Sequence, residues 1–393
     1  MSDLVLDRAV CATGDPLGRV VVVLPGDVDD PARPSGGNRY DRRTCEELRA
    51  LGWLLEERAV HGTWPHPHPA TRKALVEALT LHPREREGTS VVLIDGLVAA
   101  GAPDVVTVAA RTRPVVVLLH MPFGPVLASL AAAERLMLTA VAAVVTPSEW
   151  ARRFLVDSYQ LAPSRIHVVS PGVDRPCCAG QSARSGATER TEMLCVAAVT
   201  KAKGLDVLVT ALAELARSAL GQGSAPGTWR CTCAGSLKIE PEFAADVRER
   251  VRAAGLCGQV RFTGALDTDT LATAYASADL LVLPSVTETW GMVVSEALSW
   301  GIPVVASDVG GIREALGQAP GGIRPGLLVR PGDPRQLAGA LRRWLGDPAL
   351  RERLRSAARA RRPDLSGWDR TARLLSAVLT SVLAERVSCD SSR

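Results

Sequence analysis

Residues Leu283–Ser307 read LPSVTETWGMVVSEALSWGIPVVAS. The runs Leu280–Leu283 and Val304–Ala306 are short and continuously apolar, which is typical of strands covered on both faces in a parallel sheet. Between them lie a polar loop, an amphipathic stretch and a Gly-Ile-Pro turn. This order predicts strand, loop, helix, turn and strand, the repeating unit of an α/β fold.

The same pattern of apolar run and amphipathic stretch recurs along the whole chain, in two sets of six. The first set is Arg19–Leu24, Leu54–Val60, Ser90–Ile94, Val115–Leu119, Ala142–Val145 and Ile166–Val169. The second set is Leu194–Val199, Arg230–Cys233, Val260–Phe262, Leu280–Leu283, Val304–Ala306 and Leu327–Val329. Each set is predicted to form one doubly wound α/β domain, which binds ligands beyond the carboxyl ends of its strands.

Length and local composition give the domain boundaries. A chain of 393 residues is long enough for two domains of ordinary size. Residues 175–193 are poor in large apolar side chains, so we expect a linker there, between a first domain at residues 1–174 and a second at 194–362. An amphipathic helix over residues 363–387 and a disordered tail over 388–393 are predicted to follow.

Composition and charge exclude several classes of protein. The chain is 47% hydrophobic and 22% charged, which argues against a disordered protein or a small disulfide scaffold. A net charge of +4 and the lack of a nucleic-acid-binding motif argue against a nucleic-acid partner. Charged residues within Met1–Val10 stand where a secretory signal would be apolar, so a cytoplasmic protein is expected. The six arginines of Arg351–Arg362 suit either a solvated helix face or a weak contact with the anionic inner face of a membrane.

Two carboxylates stand out in the opening stretch. Glu288 falls in the predicted loop and Glu296 within the predicted helix, which we expect to open at Thr289, Trp290 and Gly291. The first N–H groups of a helix lack intrahelical partners and bind anions or hydroxyl oxygens. Because each carboxylate accepts several hydrogen bonds, the pair suits a polyhydroxyl ligand; two ordinary exposed carboxylates are the alternative.

From Pro284 to Ser307 the sequence resembles the family 4 retaining glycosyltransferases of the GT-B fold. It has their Glu-x7-Glu signature and the tail Glu-Ala-x3-Gly-x-Pro-Val-Val-Ala-Ser, and the resemblance extends over nearly the whole chain. The resemblance implies two Rossmann-like domains facing across a cleft, with the final helix crossing back to the first domain. It also implies a retaining, metal-independent transfer of a sugar from a nucleotide-diphosphate donor to a hydroxyl acceptor, without a cofactor.

The resemblance assigns roles to residues of the second domain. Glu288 would contact the hydroxyls of the donor sugar, helped by the backbone of Thr289–Gly291. Glu296 would bind the ribose, and Gly235 would line the pocket of the base. Lys203 matches the lysine that binds the diphosphate, where a cation offsets the charge of the leaving group; a solvated loop lysine is the alternative.

One position departs from the family pattern. Many members have an arginine five residues before this lysine, where the chain has Ala198. The chain contains only four lysines, and two of them, Lys201 and Lys203, share this loop. We therefore expect Lys201 to supply the missing charge.

The first domain carries the other half of the expected site. Gly36 and Gly37 resemble the family's glycine loop, which approaches the donor phosphates and, near Asn38, the acceptor. A helix is expected to begin near Asp41. Glycines allow a backbone to come close to a ligand, although a plain tight turn has the same pattern.

Two further side chains of this domain end predicted strands. His120 follows Val115–Leu119, at the position where the family keeps a histidine beside the sugar; a structural histidine is the alternative. Asp95 ends the strand before it and is a weaker candidate on the acceptor side. His61, His66 and His68 lie among prolines without a fourth ligand, so no metal site is predicted.

Two other functions fit the two-domain plan. A non-hydrolysing nucleotide-sugar epimerase needs acid and base groups at the sugar and lacks the long signature. A non-catalytic, glycosyltransferase-like partner subunit would explain Ala198 but not the presence of Glu288, Glu296 and Lys203. No Gly-x-Gly-x-x-Gly follows a strand, which argues against a nicotinamide dehydrogenase.

Overall fold

The computed structural model describes residues 16–80, 90–124, 128–176, 190–221 and 229–390. These residues form two six-stranded sheets in which every paired strand is parallel to its neighbour. Helices cover the faces of both sheets. The prediction of two doubly wound α/β domains is therefore confirmed.

The strands follow the predicted apolar runs. Those of the first sheet are β1 (Gly18–Pro25), β2 (Trp53–Val60), β3 (Ser90–Asp95), β4 (Val115–Leu118), β5 (Ala143–Thr146) and β6 (Ile166–Val168). Those of the second are β7 (Thr191–Val196), β8 (Trp229–Ala234), β9 (Val260–Gly264), β10 (Leu280–Leu283), β11 (Val304–Ser307) and β12 (Gly326–Val329). The first sheet has the order β2-β1-β3-β4-β5-β6 and the second the order β12-β11-β10-β7-β8-β9.

The helices connect these strands. Those between the strands of the first sheet are α1 (Gly36–Ala50), α2 (Pro69–Leu79), α3 (Gly96–Gly101), α4 (Pro103–Ala109), α5 (Ala128–Ala140) and α6 (Glu149–Tyr159). Those that follow are α7 (Leu205–Gly221), α8 (Pro241–Ala253), α9 (Thr268–Ser277), α10 (Met292–Ser299), α11 (Ile312–Leu316), α12 (Pro334–Gly346), α13 (Pro348–Arg361) and α14 (Trp368–Asp390).

The core of each domain lies on both faces of its sheet. In β1, Val21 and Val23 join one buried cluster, whereas Val20 and Val22 join another on the opposite face. The second cluster also contains Trp368 and further apolar residues of α14. The last helix therefore packs on the first domain, although it follows the second domain in sequence.

Two predicted boundaries differ from the structure. Strand β7 begins at Thr191, inside the expected linker, because Thr191 pairs with Trp229 of β8. Helix α14 continues to Asp390, so residues 388–390 are helical and not part of a disordered tail. The sequence there has no glycine or proline to end the helix. Residues 177–189 of the linker and 391–393 of the tail lie outside the described residues.

Most of the arginines of Arg351–Arg362 lie on α13, and several are paired. Arg355 bonds to Asp279 at 2.9 Å, and Arg361 lies 3.6 Å from Asp364. Contact of this helix with an anionic membrane stays a prediction. Within the described ranges, no helix has both the length and the apolar character needed to cross a bilayer.

Candidate active site

A cleft of about 510 Å³ lies between the two sheets. In the second sheet, strand order reverses between β7 and β10, and the loops after these two strands carry Lys203 and Glu288. The carboxyl ends of strands at such a reversal are the usual ligand site of a doubly wound sheet. The predicted site residues that line the cleft are Gly36, Gly37, His120, Lys203, Gly235, Glu288, Thr289, Trp290, Gly291 and Glu296.

Lys203 and Glu288 form an ion pair on the wall of the second domain. Lys203 Nζ lies 2.7 Å from Glu288 Oε2, and Ser285 Oγ donates to the same oxygen at 3.3 Å. Gly204 brings the two loops together: its φ is +64°, and a Cβ on it would lie 2.3 Å from the Pro284 carbonyl oxygen. Only glycine adopts this conformation without strain at such a close contact. The glycine after Lys203 thus places the ammonium group beside Glu288.

Glu296 is held through both of its carboxylate oxygens. The Tyr275 hydroxyl donates to Oε2 at 2.7 Å, and Arg39 of the first domain donates to Oε1 at 2.6 Å. Arg39 also bonds to Asp174 at 2.7 Å. Burial and the charge of Glu296 raise the pKa of Tyr275, so its hydroxyl remains a donor. Burial lowers the pKa of Arg39, but Glu296 and Asp174 outweigh this effect and raise it.

The loop before Glu296 differs in one respect from the prediction. Helix α10 begins at Met292 with Gly291 as its N-cap at φ +81°, so Thr289 and Trp290 belong to the preceding turn. A Cβ on Gly310 would lie 1.5 Å from the Glu288 carbonyl oxygen, so a neighbouring loop packs directly on this turn. The turn is therefore fixed by backbone contact and presents Glu288 to the cleft.

Gly235 has a packing role at the edge of the cleft. A Cβ on Gly235 would lie 1.9 Å from the Ala197 carbonyl oxygen. The absence of a side chain lets the end of β8 approach the loop after β7. Ala198, which stands in place of the family arginine, lines the cleft beside it.

The opposite wall is the start of α1. The helix begins at Gly36 and not near Asp41, because Ser35 caps it by accepting from the Asn38 N–H at 3.0 Å. A Cβ on Gly36 would lie 3.2 Å from Met292 Sδ of the second domain, and one on Gly37 would lie 3.0 Å from the His120 ring. The two glycines therefore allow close approach across and within the cleft.

His120 belongs to a cluster with two buried carboxylates. Its Nε2 lies 2.8 Å from Asp41 Oδ1 and 3.4 Å from Asp95 Oδ2. Burial lowers the pKa of His120, but the charge and hydrogen bond of Asp41 and the charge of Asp95 outweigh it, so the pKa is raised. Burial and the Asp41 charge raise the pKa of Asp95 against the opposing charge of His120.

This cluster is also the one place among the described ranges where ligand atoms of three histidine, cysteine or acidic side chains lie within 4.8 Å of one another. Hydrogen bonds account for its geometry. Asp95 Oδ1 accepts from the N–H groups of Leu97 and Val98 and so caps α3, while His120 lies between the two carboxylates. These three side chains are called the His120 cluster below.

Three predicted residues are not among those that line the cleft. Lys201 is exposed, and its backbone N–H donates to Glu240. Asn38 donates through its side chain to the Asp27 carbonyl oxygen at 3.4 Å. Asp95 is buried behind His120. Arg39 and Asp41 were not predicted from the sequence as site residues, although a helix that begins at Gly36 places Asp41 one turn after Gly37, on the same face.

Loops after His120 are fixed by another buried carboxylate. Glu134 accepts from the N–H of Phe123 at 3.0 Å, from that of Gly124 at 3.2 Å and from the Tyr159 hydroxyl at 2.5 Å. Burial raises the pKa of Glu134, and these hydrogen bonds oppose the rise. The segment that follows His120 is thus anchored to α5 and α6.

Two family models match the chain over complementary ranges. Residues 20–175 match the model described as Glycosyltransferase Family 4, and residues 181–361 match that described as Glycosyl transferases group 1. The first domain thus belongs to glycosyltransferase family 4 and the second to the group 1 glycosyltransferases. In sequence, the boundary between the two matches falls between β6 of the first sheet and β7 of the second.

Sequence and structure comparisons agree with this membership. The D-inositol 3-phosphate glycosyltransferase of Jonesia denitrificans is 34% identical over 241 residues, which is 59% of this chain and 55% of the relative. The chain thus spans about half the length of the curated relatives it matches. A sucrose-phosphate synthase from Thermosynechococcus elongatus has a TM-score of 0.76 at 20% identity, over 94% of this chain and all of the other.

A second solved structure resembles the chain in fold. HepE of Anabaena, in complex with UDP and glucose, has a TM-score of 0.70 at 17% identity, over 92% of this chain and 99% of the other. Together with the two parallel sheets, these likenesses confirm that the chain has the predicted GT-B fold.

Proposed function

We propose that this chain is a retaining, metal-independent glycosyltransferase that transfers a sugar from a nucleotide-diphosphate donor to a hydroxyl acceptor. The observation that carries the proposal is the cleft, where Lys203, Glu288 and Glu296 of one domain face Gly37 and His120 of the other. An ammonium group and two carboxylates suit a ligand that has a diphosphate at its centre and hydroxyls at both ends.

The donor lies across the second domain in this proposal. Its ribose binds Glu296, its diphosphate binds Lys203, and its sugar hydroxyls bind Glu288. The 2.7 Å pair between Lys203 and Glu288 places the diphosphate and sugar sites side by side. As the sugar leaves, negative charge grows on the diphosphate, so Lys203 stabilises the transition state more than the bound donor.

Retention follows from attack on the face from which the diphosphate departs. Glu288 already pairs with Lys203, and Glu296 with Arg39 and Tyr275, so neither is proposed as a covalent nucleophile. The departing phosphate takes the proton of the acceptor. Closure of the two domains around the donor excludes water and limits hydrolysis.

The comparisons guide the choice of substrates to assay. HepE was solved with UDP and glucose bound, so UDP-glucose is the first donor to assay. The relatives are named as D-inositol 3-phosphate glycosyltransferases, so inositol 3-phosphate is one of the acceptors to assay. The acceptor class itself stays open because loops of the first domain set it. The protein is proposed to act in the cytoplasm.

The first test measures the melting temperature with UDP, GDP, ADP, CDP and dTDP in EDTA. One nucleotide is expected to raise it, because a ligand that binds only the native state adds to stability. Lys203→Met should abolish the rise, whereas Lys73→Met, which alters a lysine with an 81% exposed side chain on α2, should keep it. No rise with any nucleotide, from folded protein, would favour the non-catalytic subunit.

The second test follows the reaction by NMR with the matching nucleotide sugar. We expect a product whose anomeric configuration equals that of the donor, formed in EDTA and lost in Glu288→Ala. An inverted product would contradict the retaining mechanism, and a requirement for a divalent ion would contradict metal independence. Conversion of the donor sugar to its epimer without any acceptor would identify an epimerase.

A further inference from the structure

His120 is expected from the sequence to lie beside the sugar, and the structure adds a partner behind it. Asp41, on α1, has a side chain only 1% exposed, and its Oδ1 lies 2.8 Å from His120 Nε2. The Tyr40 ring packs against the imidazole with its centroid 5.2 Å away, and Asp95 approaches from the end of β3. These three side chains are the titratable groups seen to face His120 from the packed elements.

We propose that Asp41 is a positioning residue for His120, which it fixes at the cleft as a charged hydrogen-bond donor. The part of this inference that concerns the role of His120 in the reaction rests on the proposed glycosyl transfer. The orientation and charge of His120 do not depend on that proposal, and they are measured separately below.

The hydrogen bond decides which ring nitrogen can serve a ligand. Because Nε2 is engaged by Asp41 and lies near Asp95, Nδ1 is the nitrogen left for a bond in the cleft. A charged imidazole carries a proton on both nitrogens, so Nδ1 donates. The sugar hydroxyl or phosphate oxygen that His120 meets is therefore an acceptor.

The buried carboxylates of the cluster favour a protonated, positively charged His120 ring. Asp41 Oδ2 is buried without a hydrogen-bond partner, and burial of an ionised carboxylate is costly unless an opposite charge lies near. A His120 cation offsets the charge of Asp41, and Asp95 adds a second favourable contact. Burial alone would lower the pKa of His120, and the two carboxylates reverse that effect.

A fixed cation at this place has a direct use in the proposed reaction. His120 and Lys203 both line the cleft, on opposite walls. Donors held in place before the reaction stabilise developing charge without the cost of reorganisation. Asp41 makes His120 such a donor, and it does so without touching the substrate itself.

The first experiment measures His120 directly and needs no activity. Proton–nitrogen spectra of protein labelled at its six histidines are recorded against pH, and the His120 signal is assigned by its loss in His120→Gln. In Asp41→Asn we expect the pKa of His120 to fall by about one unit. Asp104→Asn, at an exposed carboxylate paired with Arg72, is the control and should leave it unchanged. An unchanged pKa in Asp41→Asn would overturn the proposal.

The second experiment is a double-mutant cycle on kcat/KM. Asp41→Asn should lower kcat about tenfold with little change in KM for the donor, and should move the alkaline limb of the pH profile to lower pH. In a His120→Gln background, Asp41→Asn should cost nothing further, because it acts through the histidine. Equal losses in both backgrounds would show that Asp41 only supports the fold, and would refute the positioning role.

A metal analysis of the purified protein tests the alternative that Asp41, Asp95 and His120 bind a metal ion. One equivalent of divalent metal bound by the purified protein and lost in Asp41→Asn would make His120 a ligand, which would overturn the inference. Protein that gives the expected NMR result but transfers no sugar would contradict the proposed function and leave the charge of His120 established. The two failures are thus distinguishable.

Discussion

Glu134 shows how one buried side chain fixes the surroundings of the cleft. Its side chain is almost fully buried on α5, and its two oxygens accept from two backbone N–H groups and from Tyr159. The N–H groups belong to Phe123 and Gly124, three and four residues after His120. The position of the loop after His120 therefore depends on a carboxylate that does not touch the cleft lining.

Glu134→Gln should destabilise the fold by about 2 kcal/mol, because an amide NH2 cannot accept the hydrogen bond of a buried donor. Urea unfolding at pH 7 measures the change. Glu149→Gln, at a half-exposed side chain on α6, is the control and should change stability little.

The pH dependence of the same variant gives an independent check. Because the pKa of Glu134 is raised in the folded state, that state binds the proton more tightly than the unfolded chain. The contribution to stability is present below the ordinary glutamate pKa and is lost as pH rises through the raised value. Glu134→Gln should flatten this decline, and an equally steep decline in the variant would contradict the assignment.

At the scale of elements, the loops after β7 and β10 form one wall of the cleft and are held together by backbone contact. Gly204, at φ +64°, packs on the Pro284 carbonyl oxygen and places Lys203 beside Glu288. A side chain at Gly204 would push the two loops apart. The wall thus depends on a residue that has no functional group.

Gly204→Ala should weaken nucleotide binding about tenfold or more, because the Lys203 ammonium group would move away from the place proposed for the diphosphate. Calorimetry with the nucleotide that raises the melting temperature measures this loss. Gly339→Ala, in the middle of α12 with open space around it, is the control and should bind normally with equal or higher stability. Normal binding by Gly204→Ala would contradict the role of the turn.

The sequence predicted the strands better than the helix starts at the cleft. The strands were predicted closely because their continuous apolar runs reflect burial on both faces, as in β10 and β11. The two helix starts at the cleft were wrong by several residues. Glycine is a weak helix former, so the sequence pattern does not indicate a helix that begins at Gly36, where the Ser35 cap fixes the start.

Contacts between residues that are far apart in the chain could not be predicted from local sequence patterns. Arg39 and Glu296 are 257 residues apart in sequence, and nothing local to either predicts their bond. The same holds for Asp41, whose partner His120 lies 79 residues away. Such pairs depend on how elements are placed in space, whereas local periodicity reports only the element itself.

At the scale of the molecule, the two domains meet through polar contacts around the cleft. Glu314 of α11 accepts from the N–H groups of Glu149 and Trp150, the first residues of α6, at 2.7 and 2.8 Å. Ser236 donates to the Ala32 carbonyl oxygen at 2.9 Å, and Arg39 bonds to Glu296. A helix of the first domain is thus capped by a carboxylate of the second.

Glu314→Ala should loosen this closed arrangement, because the N-terminus of α6 loses its acceptor across the cleft. Small-angle X-ray scattering should then give a larger radius of gyration, and turnover should fall. Glu77→Ala, at an exposed side chain on α2, is the control and should match the parent. A scattering curve identical to that of the parent would show that Glu314 does not hold the domains together.

The packing of α14 on the first domain also bears on how the chain is made. Buried residues of this helix, among them Leu375 and Leu379, share a core with Val20 and Val22 of β1. During synthesis the first domain emerges from the ribosome first, but the helix that packs on one face of its sheet emerges only after the second domain. Part of that face therefore stays uncovered until the second domain has been made, so the first domain completes its core only after the second has been synthesised.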